Sequence, residues 1–202
     1  NLTAVNDAPV ATVPGAAYSA TEQTTLTLKN TGLSVSDADA GTNNVTVTLS
    51  VGEGTLSAGA GGSGAVVVGS GTGTLTFTGT VAQINALLNT DGTSTLSYID
   101  NTDTPSASTT LTLKIDDQGN TGSGGALNNS KNVTINLTAV NDAPVATVPG
   151  AAYSATEQTT LTLKSTGLSV SDADAGTNNV TVTLSAGEGT LSAGAGGSGA
   201  VV

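Results

Sequence analysis

Asp37-x-Asp39-x-Gly41-x-Asn43 sets two carboxylates and an amide oxygen around a glycine turn. Such hard oxygen donors are the kind calcium takes at roughly 2.3–2.6 Å. Asp172 and Asp174 repeat the pattern later in the chain, and a second acidic feature, Asn141-Asp142 ahead of Pro144, has its counterpart in Asn6-Asp7 ahead of Pro9. The Asp37 loop lacks the distal bidentate Glu of a helix-loop-helix calcium motif, so other residues must complete any shell. Asp7 or Asp142, Glu22 or Glu157, and the pair Asp116-Asp117 are the candidates. The same side chains have a simpler use, since Asp readily starts a turn by accepting hydrogen bonds from nearby backbone. That alternative stands for Asp37 and Asp39 and equally for Glu22 and Asp117. Asp100 and Asp103 precede Pro105 and fit either a ligand role or a solvated turn.

Composition excludes most other chemistry. Without Cys there is no disulfide framework, and without Cys or His the usual zinc, copper, haem and thiol sites cannot be built. No Ser-His-Asp or Cys-His arrangement is available, and no phosphate-binding Gly-Lys-Ser/Thr is present. A carboxylate pair could in principle hydrolyse a glycoside, but the chain has no Trp and only three Tyr to form a sugar platform. An enzyme is not expected. Fifteen acidic residues against four Lys and no Arg give a net charge of −11, which argues against nucleic acid or an anionic membrane surface as a partner. Divalent cations suit that charge.

The elements that must hold these residues are strands. Thr alternates with Val or Leu along much of the chain, the habit of half-buried strands. Asn44 to Val51 is the clearest case, with Val45, Val47, Leu49 and Val51 on one face and Thr46 and Thr48 on the other. Further strands are predicted at 16–19, 24–28, 33–35, 65–68, 73–77, 94–99, 108–116 and 131–140. Gly59 to Gly64 reads as a mobile loop and 117–125 as a long polar one. One helix interrupts the series: Thr80 can cap a run that places Val81, Ile84, Leu87 and Leu88 on one face, ended by Asp91-Gly92. Many short strands with regular turns predict an all-β fold, a Greek-key two-sheet β-sandwich of immunoglobulin or cadherin-like type with one short helix per repeat.

The chain repeats itself with a period of 135. Residues 136–202 match 1–67 at all but two positions, Asn30 against Ser165 and Val51 against Ala186. The expected organisation is the end of a preceding repeat at 1–5, a complete repeat at 6–140 and the first half of the next at 141–202. Having no initiating Met and stopping inside an apolar run, the chain reads as a fragment of a longer protein. Residues 141–202 lack the partners that correspond to 68–135, so their order is expected to be marginal. Near-identical units suit an array whose purpose is length.

Taken together, the Asn-Asp-Ala-Pro joint, Ser-Asp-Ala-Asp-Ala-Gly at 36–41, Gly-Thr-Leu-Thr-Phe at 73–77 with Ile-Asn-Ala-Leu-Leu at 84–88, and Ile-Asp-Asp-Gln-Gly-Asn at 115–120 resemble the cadherin-like tandem repeats of giant bacterial surface proteins. These include the extender regions of calcium-dependent adhesins exported by type I secretion. The resemblance implies an extracellular, cell-surface spacer that supports adhesion or biofilm formation, with adjacent identical repeats as its partners in cis and no direct membrane contact. It further implies that Asn141 and Asp142 bind calcium together with Asp172, Asp174 and acidic residues at the base of the preceding domain, for which Glu22 and Asp116 or Asp117 are the matches. Ala139 stands where animal cadherins carry the first Asp of the linker, which argues against a full set of three ions per joint. The competing reading is a repeat that itself binds carbohydrate or a neighbouring cell, or an accessory module of a secreted hydrolase. The scarcity of aromatics and the absence of Arg favour the spacer.

Overall fold

The computed structural model describes residues 2–202; Asn1, the first residue of the expected repeat end at 1–5, lies outside them. The chain divides into two compact units, one reaching to Asn141 and the other spanning Asp142–Val202. The division falls inside the Asn141-Asp142 pair.

The first unit is all-β with one short helix. Its strands are β1 (Val10–Thr12), β2 (Tyr18–Thr21), β3 (Leu26–Thr27), β4 (Ser34–Ser36), β5 (Val45–Val51), β6 (Thr55–Gly59), β7 (Val66–Val68), β8 (Thr74–Gly79), β9 (Thr95–Ile99), β10 (Ser108–Asp116) and β11 (Asn128–Thr138). Six of them form a mixed sheet in the order β2-β11-β10-β5-β8-β7, parallel only between β11 and β2. A three-stranded sheet, β3-β9-β6, and the pair β1-β4 complete the unit. β5 keeps its predicted alternation: Val45, Val47 and Leu49 are fully buried; Val45 faces Gly79 on β8, Val47 pairs with Phe77 on β8 and Ile115 on β10, and Leu49 with Leu75 and Leu113. Phe77, the only phenylalanine, sits in that core beside Tyr98 and Leu111.

Two local predictions changed on folding. Thr24 to Leu28 reads as a clean strand, yet only Leu26–Thr27 pairs, because Gln23 turns at φ 58° and Leu28 is already committed to the loop that bonds Leu96. Gly59 to Gly64 is not a free loop. Gly62 N donates to Asp91 Oδ1 at 3.2 Å, Ser63 is buried, and a Cβ on Gly61 would lie 2.3 Å from Ser94 N.

The helix begins where its cap predicts. Thr80 Oγ1 accepts from Gln83 N at 3.2 Å while Gln83 Oε1 accepts from Thr80 N at 2.9 Å, a reciprocal capping box. α1 (Val81–Asn85) then widens into a π-helical turn over Ala86–Thr90, closed by Asp91 N on Ala86 O at 2.8 Å. Ile84, Leu87 and Leu88 are all fully buried in the core. Asn85 and Asn89 reach across to β4 and its approach, bonding Val35 O and Leu33 O.

The second unit reproduces only part of this. Its strands β12 (Val145–Thr147) and β13 (Ser169–Ser171) pair in the register of β1 with β4, shifted by one period. Val180, Val182 and Leu184, the counterparts of Val45, Val47 and Leu49, are about half exposed and form no strand. Their covering partners in the first unit come from β8 and β10, which have no counterpart in 142–202. Amide hydrogen exchange should therefore show strong protection at 45–51 and little at 180–186. Equal protection of the two segments would contradict this account of β5.

Candidate functional site

Three loops meet at the end of the first unit where the chain enters. Asn6, buried at 5% exposure, donates from Nδ2 to Asp117 Oδ2 at 2.6 Å and to Gly125 O at 2.9 Å. Its backbone N donates to Ser123 O at 3.1 Å, and Gly122 lies so close that a Cβ there would stand 2.4 Å from Asn6 N. The entering chain is thereby sealed against the 117–125 loop. That loop also reaches the acidic turn: Thr121 Oγ1 donates to Asp39 O, and Asn120 Nδ2 donates to Asn44 O at 2.6 Å.

The acidic turn is built from its own side chains. Asp37 Oδ1 accepts from Asp39 N at 3.1 Å and Ala40 N at 3.2 Å, and Gly41 takes φ 55° as the turn closes. Asp39 Oδ2 accepts from Asp7 N at 2.7 Å, tying turn to linker. Each side chain thus has one oxygen occupied, and the other oxygen is left over. Asn6 Oδ1, Asp37 Oδ2 and Asp39 Oδ1 are all buried acceptors without a hydrogen-bond partner. Acceptors alone, two of them on carboxylates, ask for a cation or a donor and offer nothing to an anion. Burial, reinforced by the neighbouring Asp39 carboxylate, raises the Asp37 carboxyl above its ordinary range.

Asp117 stands apart from these. Burial pushes its carboxyl up, but bonds from Gly119 N at 2.8 Å, Leu127 N at 2.7 Å and the Asn6 amide outweigh that and hold it below the ordinary range. Its two oxygens are already engaged, so it positions Asn6. Asp116 accepts from Gln118 N and Nε2 and serves the adjacent turn.

Glu22 lies at the opposite end. Its Oε1 accepts from Val140 N at 2.8 Å and its backbone N donates to Thr138 O at 3.1 Å, while Oε2 is buried without a partner. Beside it Gln23 N donates to Asp100 O at 2.6 Å, and Asp100, 1% exposed, takes Thr102 N on Oδ1. Tyr98 OH points to Asp100 Oδ2 at 3.4 Å, and burial together with the Asp100 and Glu53 carboxylates raises the Tyr98 phenol. Asp100 was open between ligand and solvated turn in the sequence; it is a buried group. The cue to its burial is Tyr98, two residues earlier on β9 and facing the core.

The topology sets Glu22 and the Asp116-Asp117 pair, which the resemblance placed at one base, at opposite ends of the first unit. β10 and β11 run the length of the sheet, leaving Asp116 and Asp117 near Asn6 and Glu22 near Val140. Asn6, Asp37, Asp39 and, by its backbone, Asp7 come together at the first end. Among the described residues no three acidic side chains converge, so the first end offers two carboxylates and an amide.

In the second unit, Asp172 Oδ1 accepts from Asp174 N and Ala175 N, both at 3.0 Å, and Asp142 N donates to Asp174 Oδ2. The acidic turn is thus repeated with its linker contact. Glu157 is exposed, unlike Glu22, because no strand equivalent to β11 lies beside it among the described residues. Asn141 closes the first unit.

No known family, no curated protein and no solved structure matches the chain.

Asp117→Ala should destabilise the first unit by about 1.5–3 kcal/mol in thermal or denaturant unfolding, because it strips buried donors of a charged acceptor. The sign of the pH effect follows from its lowered folded-state value: the contribution is full above the ordinary carboxylate range and is lost as pH falls through the folded-state value. The difference between wild type and Asp117→Ala should accordingly shrink in acid. A difference independent of pH would contradict the assigned role.

Proposed function

We propose that this chain is part of a calcium-rigidified extender of a bacterial cell-surface adhesin, in which cadherin-like β-sandwich repeats bind calcium at their ends and hold more distal domains away from the cell. The observation that carries the reading is the set of buried, partnerless oxygens on Asn6, Asp37 and Asp39. Calcium accepts six to eight oxygen ligands in flexible geometry, including carboxylates, amide oxygens, backbone carbonyls and water. Asn6, Asp37 and Asp39 would supply the side-chain donors at the entering end. Glu22 would offer the oxygen at the far end, with Asp100 next to it. By the repeat, Asp142, Asp172 and Asp174 of the second unit correspond to Asp7, Asp37 and Asp39, and Asn141 to Asn6.

The spacer role follows from what surrounds the donors. The outward faces of β5, β8 and β10 carry Thr and Ser together with Lys114 and Asp116, and Tyr18 is half buried with its hydroxyl on Thr31, which supports a spacer over a sugar-binding face. With a net charge of −11 and no Arg, the ion-free ends repel one another, and filling the sites with divalent cations removes that repulsion. Extracellular calcium modules bind at about 10⁻⁴ to 10⁻³ M, so such sites fill outside a cell and stay empty at cytosolic calcium. Export would then convert a flexible chain into a stiff one. Secretion, adhesion and biofilm support belong to this reading.

Calcium should raise the melting temperature of the chain, each tenfold excess over Kd adding about 1.4 kcal/mol per site. Asp37→Asn separates this from a plain turn. In chelator the variant should be as stable as wild type or more so, since it removes a buried carboxylate that faces Asp39; in millimolar calcium it should lose most of the gain. Identical calcium responses in wild type, Asp37→Asn and Asp39→Asn would overturn the proposal.

A further inference from the structure

β7 is an open edge of the first unit. It ends the six-stranded sheet and pairs only with β8, Val66 opposite Thr78, Val67 opposite Phe77 and Val68 opposite Thr76. Among the described residues no other backbone group bonds these three valines. The neighbouring edge is treated differently. Leaving β7, the chain turns at Gly69 (φ 87°) and Gly71 (φ 84°) and lies along β6: Leu56 N donates to Thr72 O at 2.7 Å, Gly71 N to Leu56 O at 2.8 Å and Ala58 N to Ser70 Oγ at 3.0 Å. One segment thus closes the β6 edge of the three-stranded sheet and leaves β7 uncovered. Val66 and Val68 are 60% and 62% exposed, while Val67 packs against the core.

Open edges are ordinarily guarded by charge, proline or a bulge. This one has no guard: Gly54 to Thr90 contains no charged residue and no proline, in a chain of net charge −11. The acids that bound this segment are engaged elsewhere, Glu53 by Ser106 N at 3.1 Å and Asp91 by the N–H groups of Gly62, Thr93 and Ser94. Two copies of the chain repel each other at their acidic ends, and the flank around β7 is where they can approach without that cost. We infer that β7 docks on β7 of a second copy, joining the two six-stranded sheets into one across a two-fold axis.

The strand is its own complement. Facing residues of an antiparallel pair share one face of the sheet, so Val66 can stand opposite Val66 or Val68 of the copy but not Val67. Of the registers this allows, only the one with Val67 on the axis pairs all three residues of the strand, setting Val66 against Val68 of the copy. Three identical β-branched side chains meet there without a mismatch of size or charge. Such a contact is far smaller than the roughly 1,200 Å² of a stable interface, so each is weak and gains strength by number along a repeating chain. Antiparallel pairing also sets the entering end of one unit beside the far end of the other. On the extender reading above, on which this last step rests, that is the arrangement of chains reaching from two facing surfaces.

The chain has no cysteine, so single engineered thiols report one contact. Val66→Cys and Val68→Cys chains, one of them isotopically labelled, are mixed at about millimolar concentration in chelator with a mild oxidant, and the disulfide-linked dimers are resolved by mass. Facing Cβ atoms lie about 4.5–5.5 Å apart and diagonal ones about 7–8 Å, so the mixed dimer should exceed either like dimer several-fold beyond the statistical ratio of two. Sedimentation of cysteine-free chains gives the second arm. Val66→Lys with Val68→Lys should abolish concentration-dependent association, while Val180→Lys with Val182→Lys in the second unit should leave it in place. A statistical mixture of dimers, no dimers at millimolar chain, or association that survives the first lysine pair would overturn the inference. Chelator keeps the result independent of calcium, so failure of the calcium reading and failure of this pairing are distinguishable.

Discussion

Cationic side chains are scarce in this protein, and that scarcity orders its polar interior. Fifteen carboxylates share four Lys and no Arg, so a buried acid must be satisfied by backbone N–H groups, hydroxyls or an ion. Asp117 takes Gly119 N, Leu127 N and the Asn6 amide; Asp100 takes Thr102 N and the Tyr98 hydroxyl. Asp91, at the end of the helical segment, gathers Gly62, Thr93 and Ser94 and so fixes the glycine-rich loop. Where backbone N–H groups are enough, the acid is structural. Where they are not, as at Asp37 and Asp39, an oxygen remains, and the leftover oxygens gather at the ends of the domain.

The core makes those ends possible. β5, β8, β10 and β11 supply long ladders whose inward faces are apolar apart from Thr109. Loops at the two ends carry all the buried acids described here. Asn6 bonds Asp117 across 111 residues, so closing the fold also assembles the entering end. The price of building the ends from acids alone is mutual repulsion, and a divalent cation is the physical agent best suited to relieve it.

Much of this was legible in sequence because it follows from period and type. The alternation of Val45, Val47 and Leu49 gave β5, the Thr80-x-x-Gln83 cap and the spacing of Ile84, Leu87 and Leu88 gave the helix, and the 108–116 run matched β10 residue for residue. The π-helical turn over Ala86–Thr90 had no signal in the spacing, which fits an ordinary α-helix equally well. The acidic turn was visible as a spacing, but the location of Asp117 was not. Sequence proximity to the end of a strand does not reveal which end of the sheet that strand finishes on; the antiparallel pairing of β10 with β11 decides it. Asp100 was hidden by a polar neighbourhood, Asn101 to Ser106, that resembles a solvated loop although Asp100 itself sits under Tyr98.

The central claim is that the leftover oxygens are ligands. A crystal structure of the chain grown from millimolar calcium tests it directly. The account predicts an ion bound by Asn6 Oδ1, Asp37 Oδ2 and Asp39 Oδ1 at about 2.3–2.6 Å, with backbone carbonyls or water completing the shell. Water molecules or protein N–H groups donating hydrogen bonds to those three oxygens in the presence of calcium would contradict it.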